Sequence, residues 1–225
     1  MRKESIKELL DEVKETFEII STHKKISKPK VKSIFEHLRS SLEYAAQDIN
    51  SNMPKVKEKI YFPYASNEIE FEKSIKRNLP ELALYFPEVY LEVKSIQSFE
   101  CGNDWLVVMC NLTNDTKHNN AIDIHRDDEV KAVSISADGL NLAFLGGNCS
   151  NIKFINNRIN GKLMDDFTYD QGEVIITKKG DVSVNYKITK DRKIIVGNDQ
   201  IDLLPFLDDC IVNTEQFINR LYELL

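Results

Sequence analysis

The spacing of apolar residues in this chain changes near residue 130, and this change limits the fold more than any other feature. Before it, apolar side chains recur at steps of three and four, which is typical of amphipathic helices. After it, short runs rich in β-branched and aromatic residues are separated by Gly, Asn and Asp, which predicts strands joined by turns. The pattern predicts the α+β class, with an N-terminal helical bundle, an antiparallel β-meander and a C-terminal helix.

Long helices are predicted over about residues 4–22, 29–51 and 104–122, with a short helix around Phe71 and Ile75. Pro29 suits the first turn of the second helix, and Asn103 with Asp104 offers an N-cap for the third. The first two helices are expected to pack as an antiparallel hairpin because only a short turn joins them.

Strands are predicted around residues 133–136, 141–144, 152–154, 174–176 and 182–188. Residues 178–181 and 190–193 have the composition of hairpin turns. Thr214 is predicted to cap the last helix. We therefore expect two domains, a helical bundle over residues 1–126 and an antiparallel β-rich region with a C-terminal helix over residues 127–225.

Length and cysteine content limit the class of protein. A chain of 225 residues can bury a core without metal or disulfide cross-links. Its four cysteines form no C-x-x-C pair, which argues against a zinc knuckle or a disulfide framework and favours a reduced, cytoplasmic location. We expect no membrane association, because no apolar run approaches about 18 residues and the first residues lack the apolar core of a secretory signal.

The charge is unevenly distributed along the chain. The formal net charge of −6 does not favour general attraction to nucleic acid or an anionic membrane. Residues 1–62 nevertheless carry 13 basic and 10 acidic side chains, against 17 and 26 in residues 63–225. The densest basic cluster surrounds Pro29 and is interpreted as a solvated turn between helices. It consists of Lys24, Lys25, Lys28, Lys30 and Lys32.

Two predicted helices each carry a stripe of polar residues. The stripe of the second helix contains His37, Ser41, Tyr44 and Asp48. That of the helix after Trp105 starts at the apolar Val107 and contains the polar residues Asn111, Asn114 and His118. If the stripes face one another, their amides, imidazoles and phenol form a pocket. The favoured alternative is a satisfied buried network, or a stripe that faces water. Arg39 is expected to form surface ion pairs with Glu36 or Glu43.

Two segments resemble a known pattern. FEHLRSSLEY (residues 35–44) and LTNDTKH (residues 112–118), bridged by Tyr61, Phe62 and Pro63, resemble an "HLRSxLxY … TNxxKH" pattern of uncharacterised bacterial proteins. More distantly, they resemble the HEPN superfamily of helical-bundle proteins. The resemblance covers about residues 1–126 and does not extend to the strand-rich part.

The resemblance implies a site. Many HEPN proteins are metal-independent ribonucleases that use an arginine, a polar residue and a histidine four positions later, assembled across a dimer. It implies that His118 acts as general acid or base, that Asn114 orients the phosphate or the 2′-hydroxyl, and that Lys117 supplies charge. Thr113 occupies the arginine position. We expect any substrate to contact three further polar residues of the two stripes, which are His37, Tyr44 and Asn111.

Two functions follow as predictions. The first is a non-catalytic HEPN-like interaction module of a bacterial defence or toxin-related system, which binds a protein partner or a second copy of itself; the missing arginine favours it. The alternative is a metal-independent, RNA-cleaving effector that acts as a dimer. Neither needs a cofactor. A metal site at Asp123, His125 and Asp127, which would share one side of an extended segment, is the least favoured interpretation.

Overall fold

The computed structural model describes the backbone of residues 1–23, 26–118, 122, 124–196 and 201–225. It describes their side chains except those of residues 23, 116–118, 125–128 and 191–194. The chain forms two compact units. The helical unit comprises Met1–Ile124 and Val196–Leu225, and the strand unit comprises His125–Ile195. The α+β class predicted from the sequence is confirmed.

The helical unit is built on four long helices that pack against one another, with α2 in contact with the other three. Its elements are α1 (Lys3–His23), α2 (Lys28–Asn52), α3 (Glu68–Asn78), α4 (Leu82–Tyr85), α5 (Pro87–Ser95), α6 (Ser98–Cys101), α7 (Trp105–His118) and α8 (Leu203–Leu224). Within the described residues, no helix is both long and apolar enough to cross a membrane.

The predicted hairpin of α1 and α2 is present and antiparallel. Arg2, at the start of α1, donates from its Nη1 to Asp48 Oδ1 near the end of α2, at 2.9 Å. The apolar residues of α2, which recur at steps of three and four from Val31 to Ile49 and form its apolar stripe, are buried along the whole length of the helix. Burying each such side chain stabilises the fold by about 1.5–3 kcal/mol, so this stripe organises the core of the helical unit.

The strand unit contains two small antiparallel sheets and a short hairpin. One sheet has the order β2-β1-β8, the other has the order β3-β6-β7, and β4 pairs with β5. The strands are β1 (Ile124–Ala137), β2 (Leu140–Gly146), β3 (Ile152–Phe154), β4 (Arg158–Ile159), β5 (Lys162–Leu163), β6 (Asp166–Asp170), β7 (Glu173–Lys178) and β8 (Val184–Val196). The core of this unit includes Val133, Ile135, Phe167 and Tyr169, all fully buried.

Both predicted hairpin turns of the strand region are wrong. Residues 190–193 lie inside β8, which continues without interruption to Val196. Residues 178–181 lead from β7 to β8, which belong to different sheets and do not form a hairpin. Turn-like composition is a weak signal where a strand pairs with a long neighbour, and β8 lies beside the 14-residue β1.

The last helix begins 11 residues before the predicted cap. It starts at Leu203, directly after the short strand β9 (Ile201–Asp202), and Thr214 lies buried in its middle. Pro205 is the third residue of the helix, where its missing N–H costs little. We expected α8 to group with the strands, whereas it packs against α1, α2, α5 and α7 and completes the helical unit.

Candidate functional site

A segment without helix or strand, residues 61–65, is held in place by side chains of two helices. We call it the anchored loop. Its Phe62 N–H donates to Glu43 Oε2 of α2 at 2.7 Å, and its Tyr61 N–H donates to Asn78 Oδ1 of α3 at 3.1 Å. Phe62 is buried, with its ring 5.5 Å from that of Phe217 in α8. The backbone at this end of the loop is therefore fixed by hydrogen bonds and by packing.

Gln97 holds the other end of the anchored loop. This side chain is fully buried, and its Oε1 accepts from Ala65 N–H at 3.0 Å. Its Nε2 donates to the carbonyls of Pro63 and Val93, at 3.3 and 2.9 Å. One amide thus satisfies three backbone groups that would otherwise be buried without partners, which makes it the main support of this segment.

Arg39 lies beneath the anchored loop and is only 9% exposed. Its Nη2 is 2.6 Å from Glu43 Oε1, its Nη1 donates to Cys110 Sγ, and its guanidinium lies 4.7 Å from the centre of the Tyr64 ring. Burial acts to lower the pKa of Arg39, but Cys110, Glu43 and Tyr64 outweigh burial and raise it. The side chain therefore remains charged, and it joins α2, α7 and the anchored loop.

Cys110 is not an activated nucleophile. Burial raises its pKa to about 11, although the nearby Arg39 charge acts in the opposite direction. At neutral pH the group is a thiol, and the reactive form of cysteine is the thiolate. Its contact with Arg39 is therefore structural.

A cleft of about 510 Å³ opens beside the anchored loop, and we call it the Arg39 cleft. Tyr61 is 53% exposed at this cleft, and Asn114 Nδ2 donates to the Tyr64 hydroxyl at 3.2 Å. The residues lining the cleft combine aromatic rings with hydrogen-bonding and charged groups. They are Arg39, Tyr61, Phe62, Tyr64, Glu70, Ser74, Arg77, Asn78 and Asn114.

One predicted catalytic residue lies in this cleft. Asn114 is exposed there, whereas the side chains of Lys117 and His118 lie outside the described residues. Thr113, at the arginine position of the HEPN pattern, is fully buried, and its hydroxyl donates to the Met109 carbonyl at 2.7 Å. Thr113 therefore supplies no charge to the cleft.

The predicted substrate-binding residues do not line the Arg39 cleft. His37 is partly buried, while Tyr44 and Asn111 are exposed. Two further members of the polar stripe of α2 make internal contacts. The Ser41 hydroxyl donates to the His37 carbonyl at 2.9 Å, and Asp48 accepts from Arg2 and from the Tyr222 hydroxyl. Burial, followed by the hydrogen bond to Asp48, raises the pKa of Tyr222. The polar stripe of α2 thus has some members exposed to solvent and others buried in the core.

The described residues contain no candidate metal site. Asp123 and the side chains of His125 and Asp127 lie outside the described residues. Among the side chains that are described, no group of three His, Cys, Asp or Glu residues is placed to hold a metal ion.

Sequence reasoning placed Arg39 on the surface and did not identify Gln97 or Asn78. The available signal for Arg39 was its position directly after Leu38, at the border of the apolar stripe of α2. Gln97 and Asn78 have no local signal, because their roles depend on partners 17 to 34 residues away.

No protein-family model matches this chain, and neither curated proteins nor solved structures include a match to it. The functional argument therefore rests on the anchored loop and the Arg39 cleft themselves.

Proposed function

We propose that this chain is a non-catalytic interaction module, HEPN-like in its helical part, which binds a protein partner at the Arg39 cleft. The observation that carries the proposal is the engagement of Arg39 by Glu43, Cys110 and Tyr64 at once. A cation held in this way stabilises the protein around the cleft. The Glu43 carboxylate already compensates its charge, which leaves little of that charge to stabilise an anion that develops during a reaction.

The chemistry of the cleft also favours binding over catalysis. Among its described lining residues there is no His, Cys or Asp, and its one carboxylate, Glu70, is paired with Lys73 at 2.7 Å. Acid–base catalysis most often uses a group of that kind, and the Ser74 hydroxyl in the cleft would need one as a neighbouring base to act as a nucleophile. The anchored loop instead presents Tyr61 on a backbone that is already held, which lowers the backbone entropy lost on binding.

Photo-crosslinking tests this proposal. A benzoylphenylalanine in place of Tyr61 should crosslink one protein, or a second copy of the chain, when the protein is expressed in bacterial cells. The same group in place of Tyr186 serves as the control, because Tyr186 is 48% exposed against 53% for Tyr61 and lies in the strand unit. The proposal fails if both positions give the same products or if neither gives a discrete one.

The second candidate is the metal-independent ribonuclease. One observation favours it: Asn114, the polar residue of the HEPN pattern, is exposed in a cleft that also carries Arg77. Wild type and His118→Ala should be incubated with labelled tRNA and mixed RNA in EDTA, with folding checked by circular dichroism. We expect no cleavage by either protein. Cleavage that is lost only in a folded His118→Ala variant would replace our proposal with the ribonuclease.

A further inference from the structure

The Arg39 cleft is a basic site in an acidic part of the molecule. The helical unit has 19 Lys and Arg residues against 26 Asp and Glu residues, a formal charge of −7. Cations nevertheless gather at the cleft: Arg77 lines it, Lys57 Nζ donates to the Arg77 carbonyl, and Lys59 Nζ lies 5.8 Å from the centre of the Tyr61 ring. Such an arrangement attracts a compact anion, while the surrounding charge opposes a long polyanion.

Among the described residues that line the cleft, Arg77 is the cation that remains available to a ligand. Glu43 pairs with Arg39 and Glu70 pairs with Lys73, so both nearby carboxylates are already engaged. Arg77 is exposed and has no ion-pair partner among the described residues. A guanidinium binds a carboxylate through two parallel hydrogen bonds, which adds directional preference to charge attraction.

Tyr61 provides an apolar surface next to this charge. Its backbone N–H is held by Asn78 and the residue is 53% exposed, so no loop must first be ordered before the ring can meet a ligand. Rigid aromatic rings of this kind are frequent anchors of protein interfaces. A cleft of about 510 Å³ has the size of a site for a short segment.

We infer that the Arg39 cleft binds a short acidic peptide segment of a protein partner, with a carboxylate on Arg77 and a neighbouring apolar side chain on Tyr61. This inference rests on the proposed interaction function and adds the chemistry of the partner. A peptide carrying few charges fits a local basic site within a unit of charge −7. Single-stranded RNA, by contrast, is held by a basic groove that follows its backbone.

The test uses fluorescence anisotropy with the full chain. The probes are a fluorescein-labelled peptide of alternating Asp and Leu, the same peptide with Asn in place of Asp, and an oligouridylate of matched charge. We expect the acidic peptide to bind, the Asn peptide to bind at least tenfold more weakly, and the oligouridylate not to compete. Failure of the acidic peptide to bind, or tighter binding of the oligouridylate, would overturn the inference.

A matched pair of variants assigns the binding to the cleft. Arg77→Glu should weaken acidic-peptide binding at least tenfold, and Tyr61→Ala should also weaken it. Lys76→Glu makes the same change of charge one residue earlier in α3, is exposed, and does not line the cleft. It should leave affinity within about twofold of wild type, because an exposed charge that makes no contact with the ligand contributes little in water. Equal weakening by Arg77→Glu and Lys76→Glu would show that the peptide is attracted by general surface charge and not by the Arg39 cleft. That result would overturn the inference.

The two proposals fail in different ways. If Tyr61 crosslinks a discrete partner but the acidic peptide does not bind, the interaction function stands and the acidic ligand is rejected. If the peptide binds but RNA is cleaved through His118, the function as an interaction module is rejected.

Discussion

In each of the two units, a buried side chain accepts hydrogen bonds from the backbone, but the structural role of these bonds differs. In the helical unit, Gln97 and Asn78 hold the anchored loop by its backbone, and Tyr61 remains exposed beside a cleft. In the strand unit, Asp165 is 1% exposed and accepts from the backbone N–H groups of Gly180 and Val184, at 2.8 and 3.2 Å. A buried side-chain acceptor can thus support an exposed site in one place and secure the passage between two sheets in another.

The charge of the acceptor marks the difference between these two supports. Hydrogen bonds from Gly180 and Val184, aided by Lys179, keep the pKa of Asp165 below its usual range against the effect of burial. Gln97 is neutral and does not titrate. The strand unit should therefore respond to acid through its support, whereas the support of the anchored loop at Gln97 should not.

Breaking the charged support should have the largest effect. Asp165→Ala leaves two backbone donors and Lys179 without their acceptor, and we expect a loss of about 3 kcal/mol in the free energy of unfolding. The chain has a single tryptophan, Trp105, buried in α7 of the helical unit. In a denaturant titration followed by circular dichroism, the transition of the strand unit should move to lower denaturant. The transition followed by tryptophan fluorescence should keep its midpoint if the units unfold independently.

The control for this variant is Asp170→Ala, because Asp170 accepts a single exposed hydrogen bond from Asn151 N–H at 3.2 Å. It should lower stability by no more than about 0.5–1 kcal/mol. Equal losses for Asp165→Ala and Asp170→Ala would contradict the role given to the buried carboxylate.

Removing the neutral support should have the next largest effect, in the other unit. Gln97→Ala leaves Ala65 N–H without its acceptor and removes the donors to Pro63 and Val93, which should cost about 2–3 kcal/mol. Here the Trp105 transition should move to lower denaturant. Ser51→Ala provides a comparison, because it removes an exposed hydrogen bond to the Gln47 carbonyl. A Gln97→Ala protein as stable as Ser51→Ala would mean that packing alone holds the loop.

Low pH should affect the stability of the two units differently. A carboxyl whose pKa is lowered by folding adds stability above its unfolded pKa, and this stability is lost as the pH falls through the folded pKa. For Asp165 the loss should begin near pH 4, the usual pKa of an aspartate, and continue below it. Hydrogen exchange at Gly180 and Val184, measured from pH 6 downwards, should show this loss in wild type. In Asp165→Asn, exchange beyond the intrinsic pH dependence should stay flat; a parallel increase there would assign the acid response to other groups.

The sequence predicted the helices well because their signal is local. The stripe from Val31 to Ile49 repeats every three or four residues, and burial follows that repeat along α2. Arg39 escapes the same reasoning. It lies beside Leu38 at the border of the stripe, and its burial depends on Cys110, 71 residues away in the chain, and on Tyr64. Local periodicity carries no information about those partners.

The errors in the later part of the chain, at residues 190–193 and at Thr214, have the same origin. Residues 190–193 have the composition of a turn, yet they continue β8, a 13-residue strand that lies beside β1 in the sheet. Thr214 has the chemistry of a cap, yet the helix already began at Leu203 and buries it. In both cases tertiary contacts outweighed a weak local preference, and the same holds for Gln97 and Asn78, which support the candidate site.

The smallest expected effect concerns the contact between Arg39 and Tyr64. Tyr64→Leu removes the ring on which the guanidinium lies, at a cost of about 1 kcal/mol, whereas Tyr64→Phe keeps the ring and removes only the hydroxyl that accepts from Asn114. Because Arg39 contacts Cys110, loosening this stack should expose the Cys110 thiol more often. Labelling by a thiol reagent, resolved by mass spectrometry, should speed up severalfold at Cys110 in Tyr64→Leu and remain unchanged in Tyr64→Phe.

Cys210 serves as a second reporter in that experiment, because it is fully buried in α8 and has a pKa raised by burial and then by the nearby Cys110. A local change at the cleft should leave its labelling rate unaltered. If Cys210 accelerates together with Cys110, the substitution has loosened the packing of α7 against α8 and not the Arg39 contact alone. If neither thiol responds, the guanidinium is held by Glu43 and Cys110 alone, and the Tyr64 ring belongs to the surface that a ligand meets.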